Sequence, residues 1–319
     1  MAADHVVALV VTYNRKVLLT ECLEAILSQT FPVTELIVID NASTDGTQEH
    51  LKEKGILDNP CVNYVRMDTN TGGSGGFYEG LRLSREGTCD WVWLMDDDTI
   101  PNPDCLAELI KAKELLYQQG EKISFLASSI YGPENEYMNV PEVSKKPSSN
   151  GYGYWYKYLR QGIINIDSAT FVSLLINMDA VKKCGLPCRD YFIWGDDSEY
   201  TRRIATYYAD AYMVGESIAI HKRVNAKALS IDNETDKKRI KMLHYHIRNN
   251  LINMFCYDGA KRGYKTFIKN LWWAVKMLRH KNGFTKSCVI VKGSFEALAQ
   301  HGKFKRYIEG ELGTQLSRR

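Results

Sequence analysis

The densest chemistry in this sequence is Asp96-Asp97-Asp98, where the apolar run Trp91-Val92-Trp93-Leu94-Met95 stops at three consecutive carboxylates. Such a run reads as a buried strand of an open α/β sheet, and ligands gather at the carboxyl ends of those strands. Three adjacent acids repel one another, and a divalent cation that accepts oxygen ligands, Mg2+ or Mn2+, offsets the repulsion. A second acidic cluster, Asp196-Asp197-Ser198-Glu199, follows Tyr191-Phe192-Ile193-Trp194-Gly195. A carboxylate close to a cation but outside its shell fits the work of a general base. Acids that open a helix also complement its dipole, which gives Asp196 and Glu199 a structural reading. His221 ends another apolar stretch, and a lone histidine there is more often structural than a ligand.

Two polar turns precede the triplet. Val11-Thr12-Tyr13-Asn14 follows the first apolar run, and Asp40-Asn41-Ala42-Ser43-Thr44-Asp45-Gly46 follows the second. At successive strand ends they form an edge that can receive a nucleoside through a carboxylate and turn amides. Singly, each is also an ordinary turn or helix cap. Asn70-Thr71-Gly72-Gly73-Ser74-Gly75-Gly76-Phe77 opens a helix with four glycines, which let backbone approach a pyrophosphate or sugar. It lacks the Lys-Ser/Thr of a phosphate-binding P-loop and does not match the dinucleotide fingerprint.

These residues need strands and helices to place them. His5–Thr12, Glu35–Asp40, Val62–Met67 and Trp91–Met95 read as strands, alternating with helical patterns over Lys16–Ser28, from about Thr47, and over Gly75–Ser84. That alternation predicts an α/β fold with a mostly parallel sheet and right-handed crossovers. A helix over Cys105–Gln118 and strands over Ile123–Ile130 and Ala169–Asn177 follow, and Asp179–Cys184 is a short helix closed by Gly185. Between Tyr131 and Ile166 the pattern dissolves into Pro, Gly, Asn and aromatic residues including Trp155, which suits either a substrate platform or an aromatic mini-core.

Charge divides the 319-residue chain at about residue 236, with 22 Lys and Arg against 34 Asp and Glu before it and 19 against 4 after it. An acidic body over 1–236 and a mainly helical basic region over 237–319 are therefore expected, the latter facing an anionic membrane surface or packing on the body. Lys261–Lys286 mixes basic residues with Leu271, Trp272, Trp273, Val275 and Leu278, as interfacial segments do. No base-stacking nucleic-acid module accompanies it, so nucleic acid is not an expected partner. Eight cysteines lack paired metal spacing and no secretory leader is recognisable, which predicts a reduced, cytoplasmic setting. No apolar run reaches the length of a membrane span.

VVTYNR, ELIVIDNASTDGT and WLMDDDTIPNPDCLAELI, in this order over about residues 5–115, resemble family 2 glycosyltransferases with the GT-A fold. The resemblance implies a nucleotide-diphosphate sugar donor and a divalent cation, Mn2+ or Mg2+. It puts Thr12, Asn14, Asp40 and Asn41 around the nucleoside with Arg66 at the edge. Asp96, toward the ribose, and Asp97 would face the donor, while Asp96, Asp98 and His221 would hold the cation, the imidazole favouring Mn2+.

The Gly73-Ser74-Gly75 loop resembles the version in galactofuranosyltransferases, which implies UDP-galactofuranose as donor. The Trp194-Gly195-Asp196-Asp197-Ser198-Glu199 stretch is similar to the WDDxE segment of the same enzymes, with Gly195 as an extra residue. It implies Asp197 as the base that activates a glycan or lipid-linked glycan acceptor. Trp155, Trp194, Asp196, Glu199 and Arg248 are expected to touch the acceptor or support the site. Arg248 belongs to a YxxRN-like stretch, toward the diphosphate or bracing the second region.

The reading is an inverting hexosyltransferase of bacterial cell-surface polysaccharide synthesis, peripheral at the inner face of the plasma membrane. A rhamnosyl- or other hexosyltransferase using dTDP or UDP sugars is the nearest alternative. A nucleotidyltransferase would show a glycine-rich triphosphate loop after the first strand, which TYNRK does not offer. A non-catalytic nucleotide-sugar-binding protein and an oligomeric state stay open.

Overall fold

The computed structural model describes residues 4–223 and 229–313. Strands β1 (Val6–Thr12), β2 (Glu35–Asp40), β3 (Val62–Arg66) and β4 (Trp91–Asp96) alternate with helices α1 (Lys16–Leu27), α2 (Thr47–Glu53) and α3 (Gly72–Glu86). Then come β5 (Thr99–Pro101), α4 (Cys105–Gln118), β6 (Ile123–Tyr131), β7 (Tyr137–Met138), β8 (Glu142–Val143), β9 (Ile163–Ser168) and β10 (Leu174–Asn177). After α5 (Met178–Cys184), α6 (Asp196–Tyr207) and β11 (Asp210–His221), helices α7 (Lys237–Asn253), α8 (Ala260–Met277) and α9 (Gly283–Leu312) complete the described fold.

All eleven strands join one mixed, mostly parallel sheet in the order β3-β2-β1-β4-β10-β6-β11-β9-β8, with β5 on β11 and β7 on β6. The strands β3, β2, β1, β4, β6 and β11 run one way, and β10 lies antiparallel between β4 and β6. Alternate residues of β1 enter different cores. Val6, Ala8 and Val10 pack with Leu19 and Leu23 of α1 and Leu106 and Leu109 of α4, while Val7, Leu9 and Val11 pack with Phe77 and Leu81 of α3. Burial on both faces is why the central strands read as continuous apolar runs.

Register decides which polar residues meet. Thr12 pairs with Asp40 and Asp40 with Arg66, so these three polar residues stand in one row at the carboxyl edge, while Asp96 pairs with Val11, one residue before that row. His221 at the end of β11 pairs with Thr99, the residue after the triplet.

Two sequence expectations are corrected. Only Leu174–Asn177 of the expected Ala169–Asn177 strand is extended, because Ser173 sits at φ 54° and its hydroxyl accepts a 3.0 Å hydrogen bond from Trp93 Nε1. Within Tyr131–Ile166, β9 begins at Ile163, and the aromatic stretch before it folds onto Glu121. The Tyr154 and Tyr158 hydroxyls donate to Glu121 Oε1 at 2.6 Å each, and the Tyr212 hydroxyl donates to Oε2 at 3.0 Å. Burial pushes the Glu121 carboxyl up, but hydrogen bonds from Lys157 and these tyrosines outweigh it and hold it down at about 2. Glu121 precedes β6, at the sheet end opposite Asp96–Asp98, so this aromatic cluster is a mini-core away from the triplet.

Helix α3 lies close on β1. A Cβ at Gly76 would stand 2.4 Å from Val11 Cγ1, and one at Gly80 2.2 Å from Leu9 Cδ1, whereas a Cβ at Gly73 would meet open space. Gly76→Ala or Gly80→Ala should therefore cost about 1–3 kcal/mol by forcing α3 off the sheet. Gly73→Ala should leave stability within about 0.5 kcal/mol. Urea denaturation of the three variants measures the contrast.

Candidate active site

The triplet is built into the turn between β4 and β5, and its charges are shared out among distinct partners. Thr12 Oγ1 donates to Asp97 Oδ2 at 2.7 Å, and Arg15 Nη1 donates to Asp98 Oδ2 at 2.5 Å and to Asp97 Oδ1 at 3.3 Å. Burial pushes the Asp97 carboxyl up to about 6 against the opposing pull of Arg15 and Thr12. Asp96 is raised well above the usual carboxylate range by loss of water and then by the charges of Asp98 and Asp97. Asp98 goes the other way: burial raises it, but the bond and charge that His221 supplies when its ring is protonated, with Arg15, bring it below the ordinary value.

Asp96, Asp98 and His221 each offer one ligand atom, all within 4.8 Å of one another. His221 Nε2 lies 3.0 Å from Asp98 Oδ1, and Nδ1 lies 2.8 Å from Asn139 Oδ1. An amide oxygen accepts only, so Nδ1 carries the proton, and in the neutral ring Nε2 then presents a lone pair to the carboxylate. Asp98 Oδ1 is a buried oxygen without a well-directed hydrogen bond. A lone pair facing an orphaned carboxylate oxygen, beside a second carboxylate, is the donor set a divalent cation satisfies. These residues fit Mn2+ or Mg2+.

At the neighbouring strand ends, side chains shape two loops. Asp40 accepts from the Ser43 amide at 2.8 Å and from the Tyr64 hydroxyl, and Arg66 Nη2 donates to the Ser43 carbonyl at 2.8 Å. Asn14, at φ 55°, takes the Thr44 amide on its Oδ1 at 2.7 Å. Asn41 spans to the glycine-rich loop, donating to the Gly72 carbonyl at 2.8 Å and accepting from the Thr71 amide at 2.9 Å. Thr12, Asp40 and Asn41 are thus buried beneath this edge, while Asn14 and Arg66 are exposed on it. Gly72 packs against the Phe192 carbonyl, where a Cβ would stand at 2.0 Å, and the Ser74 amide donates to that carbonyl at 3.2 Å. Gly75 packs against the Thr71 side chain, leaving Gly73 as the glycine of this loop open to a ligand.

The second acidic cluster opens α6 after a contorted loop in which Phe192, Trp194 and Gly195 all have φ between 60° and 91°. Helix α7 holds that loop. Asn249 Nδ2 lies within 3.0, 2.9 and 2.6 Å of the carbonyls of Tyr191, Ile193 and Trp194, and Asn253 Nδ2 donates to the Gly195 carbonyl at 2.9 Å. Arg248 Nη2 donates to the carbonyls of Asp190 and Tyr191 at 2.9 Å each, so Arg248 braces the loop through its backbone. Trp194 sets its ring edge-on to His246 at 6.4 Å. Glu199 is fully buried in an ion pair with Arg203 at 2.6 Å and accepts from Tyr257, which anchors α6.

Asp196 and Asp197 remain for chemistry. Burial first, then the Asp197 charge, pushes Asp196 up to about 7, and Asp196 in turn raises Asp96. Asp197 is also raised by burial, against bonds from the Ser198 amide at 2.6 Å and hydroxyl at 3.0 Å that both end on Oδ1. The arrangement gives two carboxyls of raised proton affinity beside a cation-ready cluster. Trp155 is not brought here; it stacks edge-on with Tyr156 at 5.5 Å within the aromatic stretch at the far sheet end. Arg15, Asn139 and Tyr64 are site residues that sequence reasoning passed over. Arg15 stood inside a quoted motif, whereas nothing in the Asn139 surroundings marks it.

Asn249→Ala should leave the Ile193 and Trp194 carbonyls without their donor, costing about 2–4 kcal/mol in urea denaturation and lowering activity as the loop relaxes. A carboxyl whose folded pKa lies above its unfolded value is protonated in the native chain while the unfolded chain has already released the proton. For Asp196, with about 7 in the fold against an ordinary 3.8, stability falls as pH rises from about 4 to 7. Asp196→Asn should then raise stability by on the order of 1–3 kcal/mol at pH 7 with little effect at pH 4. Thermal melts in chelator at both pH values check the sign.

The profile of "Glycosyl transferase family 2" matches residues 7–172, just over half of the chain. A galactofuranosyltransferase, GlfT1 of Mycolicibacterium smegmatis, is 27% identical over 210 residues, which are 63% of this chain and 65% of that protein. The chain thus spans just under two thirds of that relative's length. Its fold is similar to that of GalNAc-T7, solved with UDP, GalNAc and Mn2+, at a TM-score of 0.60 and 14% identity over 96% of this chain and 58% of the other. It is also similar to the mannosyltransferase PcManGT of Pyrobaculum calidifontis, solved with GDP-Man and Mn2+, at 0.52 and 17% over 93% and 88%. With strand-end turns, triplet and glycine-rich loop all inside the matched segment, this chain belongs to glycosyl transferase family 2.

Proposed function

We propose that this protein is an inverting, cation-dependent glycosyltransferase that moves galactofuranose from UDP-galactofuranose to a glycan or lipid-linked glycan. The observation that carries the reading is the convergence of Asp96, Asp98 and His221 at the carboxyl edge of the sheet, beside the Asp196-Asp197 pair. Likeness to GlfT1 favours galactofuranose, as does the glycine-rich loop. The setting we infer is bacterial cell-surface polysaccharide synthesis at the inner face of the plasma membrane, with residues 1–236 as the catalytic unit and 237–319 as its basic helical partner.

In this mechanism Asn14 and Arg66 meet the nucleoside at the edge that Thr12, Asp40 and Asn41 support, and Gly73 lets the donor approach the α3 backbone. Asp96 and Asp97 face the donor, and Asp96, Asp98 and His221 would hold the cation. A bound Mn2+ or Mg2+ would neutralise charge on the departing diphosphate. Asp197 takes the proton of the acceptor hydroxyl as that oxygen bonds to the anomeric carbon and the bond from this carbon to the diphosphate breaks. Its raised proton affinity suits that step, and its Oδ2 is free of the bonds that occupy Oδ1.

Incubation with a panel of UDP and dTDP sugars, Mn2+ and a synthetic lipid-linked acceptor, read by mass spectrometry, is expected to yield a galactofuranosyl product. Failure with every sugar nucleotide would sink the proposal, and transfer of rhamnose or another hexose alone would replace the donor. Asp197→Asn should lower kcat by about 10²–10⁴ with donor affinity unchanged. Wild-type turnover by that variant rejects Asp197 as the base.

A further inference from the structure

Helix α8 presents to solvent what a soluble helix ordinarily buries. Tyr264, Ile268, Trp272, Val275 and Leu278 are all exposed, Trp272 by 67% of its surface. At 3.6 residues per turn they fall, with half-buried Leu271, on one arc of about 120°. The opposite flank carries Gly263, Ala274 and Met277 into the protein. Trp273, one residue along, turns inward: its Nε1 donates to Asp232 Oδ1 at 3.0 Å and its ring packs on the core of α7 and α9. The arc is therefore a second apolar face, separate from the one that holds the helix in place.

Basic residues border it. Lys261, Lys265, Lys269, Lys276 and Arg279 are exposed, and the same wheel puts them beside and within the edge of the apolar arc. Helix α8 contains no Asp or Glu, and among the described residues none of these five cations has an ion pair. Phe284, 76% exposed at the start of α9, adds an aromatic ring just past the helix end.

We infer that the α8 face docks on an anionic lipid bilayer, laying Trp272 and its apolar neighbours into the interface while the bordering lysines meet lipid phosphates. Charge complementarity selects this occupant. A second copy on the same face would set uncompensated lysines against lysines, and a dissolved polyanion would bind the cations but leave the apolar arc in water. Among the described residues no helix is long and apolar enough to cross a membrane, so the attachment is one that lies on the surface. The inference rests on the peripheral-membrane part of the proposed function, and it is independent of which sugar is transferred.

The test is cosedimentation of the full chain, without donor, with vesicles of phosphatidylcholine alone or mixed with phosphatidylglycerol. Binding is expected only to the mixed vesicles and should weaken with salt. The double variant Lys265→Glu, Lys269→Glu should bind about a hundredfold more weakly or worse, since each charge near an anionic surface counts for about fivefold. Trp272→Ala should bind about tenfold more weakly. Both variants should keep the wild-type melting temperature and the wild-type rate on a water-soluble acceptor, because they change exposed residues outside the site. Equal binding by wild type and variants overturns the inference, as does loss on lysine reversal with none for Trp272→Ala. So does a wild-type dimer that becomes monomeric in Trp272→Ala and ignores vesicles. Because no turnover is measured on the vesicles, failure here leaves the transferase reading standing.

Discussion

The structure is organised around the burial of three adjacent carboxylates at the end of one strand. Charges of one sign at such spacing are costly away from water, and the surrounding fold distributes that cost among specific partners. Thr12 and Arg15 come from the end of the first strand and the loop after it, His221 from the last strand of the sheet, and Asn139 from a loop. His221 reaches Asp98 only because β5 reverses just after the triplet and pairs with β11. The order of the strands thus serves the acids, since it brings residues 12, 97 and 221 to one edge.

A second dependence links the basic helices to the acidic body. The loop before α6 strings together three residues with positive φ, two of them the bulky Phe192 and Trp194, a conformation that persists only where its surroundings impose it. Asn249, Asn253 and Arg248 impose it by taking up its carbonyls, and in α9 Tyr307 donates to the Leu186 carbonyl while Glu311 accepts from the Leu186 amide. Asp196 and Asp197 therefore owe their positions to a helix that begins some 40 residues later in the chain. The charge contrast between the two regions is a division of surface, and their packing is continuous.

Much of this was legible in the sequence where the signal is local. Strands buried on both faces announce themselves as apolar runs, and their ends carry Asp40 and Asp96 at positions that register brings to the same edge, one residue apart. What depends on distant pairing was not legible. Nothing near Asn139 marks it as the partner of a histidine 82 residues away, and Tyr64 looks like a strand residue until it is seen donating to Asp40. Ala169–Ser173 has strand composition, yet a hydroxyl–indole bond folds it at Ser173. The tyrosines near Trp155 left a sugar platform and an aromatic mini-core equally open, and Glu121, a single acid beyond the reach of any local pattern, decides for the mini-core by gathering their hydroxyls at the opposite end of the sheet.

The electrostatics of the site run against the stability of the fold, and that opposition has a use. Asp96, Asp97 and Asp196 are all pushed toward the protonated form by burial, and Asp196 adds its charge to that acting on Asp96. An arrangement selected for stability alone would replace some of them with neutral residues of similar shape. Arg15 relieves Asp97 and Asp98 from one side, but its side chain is half exposed, so its compensation is partial and screened. A cluster left short of positive charge binds a cation more tightly than a neutralised one, because the incoming charge removes repulsion already present in the fold. Burial raises the proton affinity of Asp196 and Asp197, the property that the proposed base requires. In the proposed mechanism, the carboxylates that cost the protein stability are the ones through which cation affinity and basicity are set together.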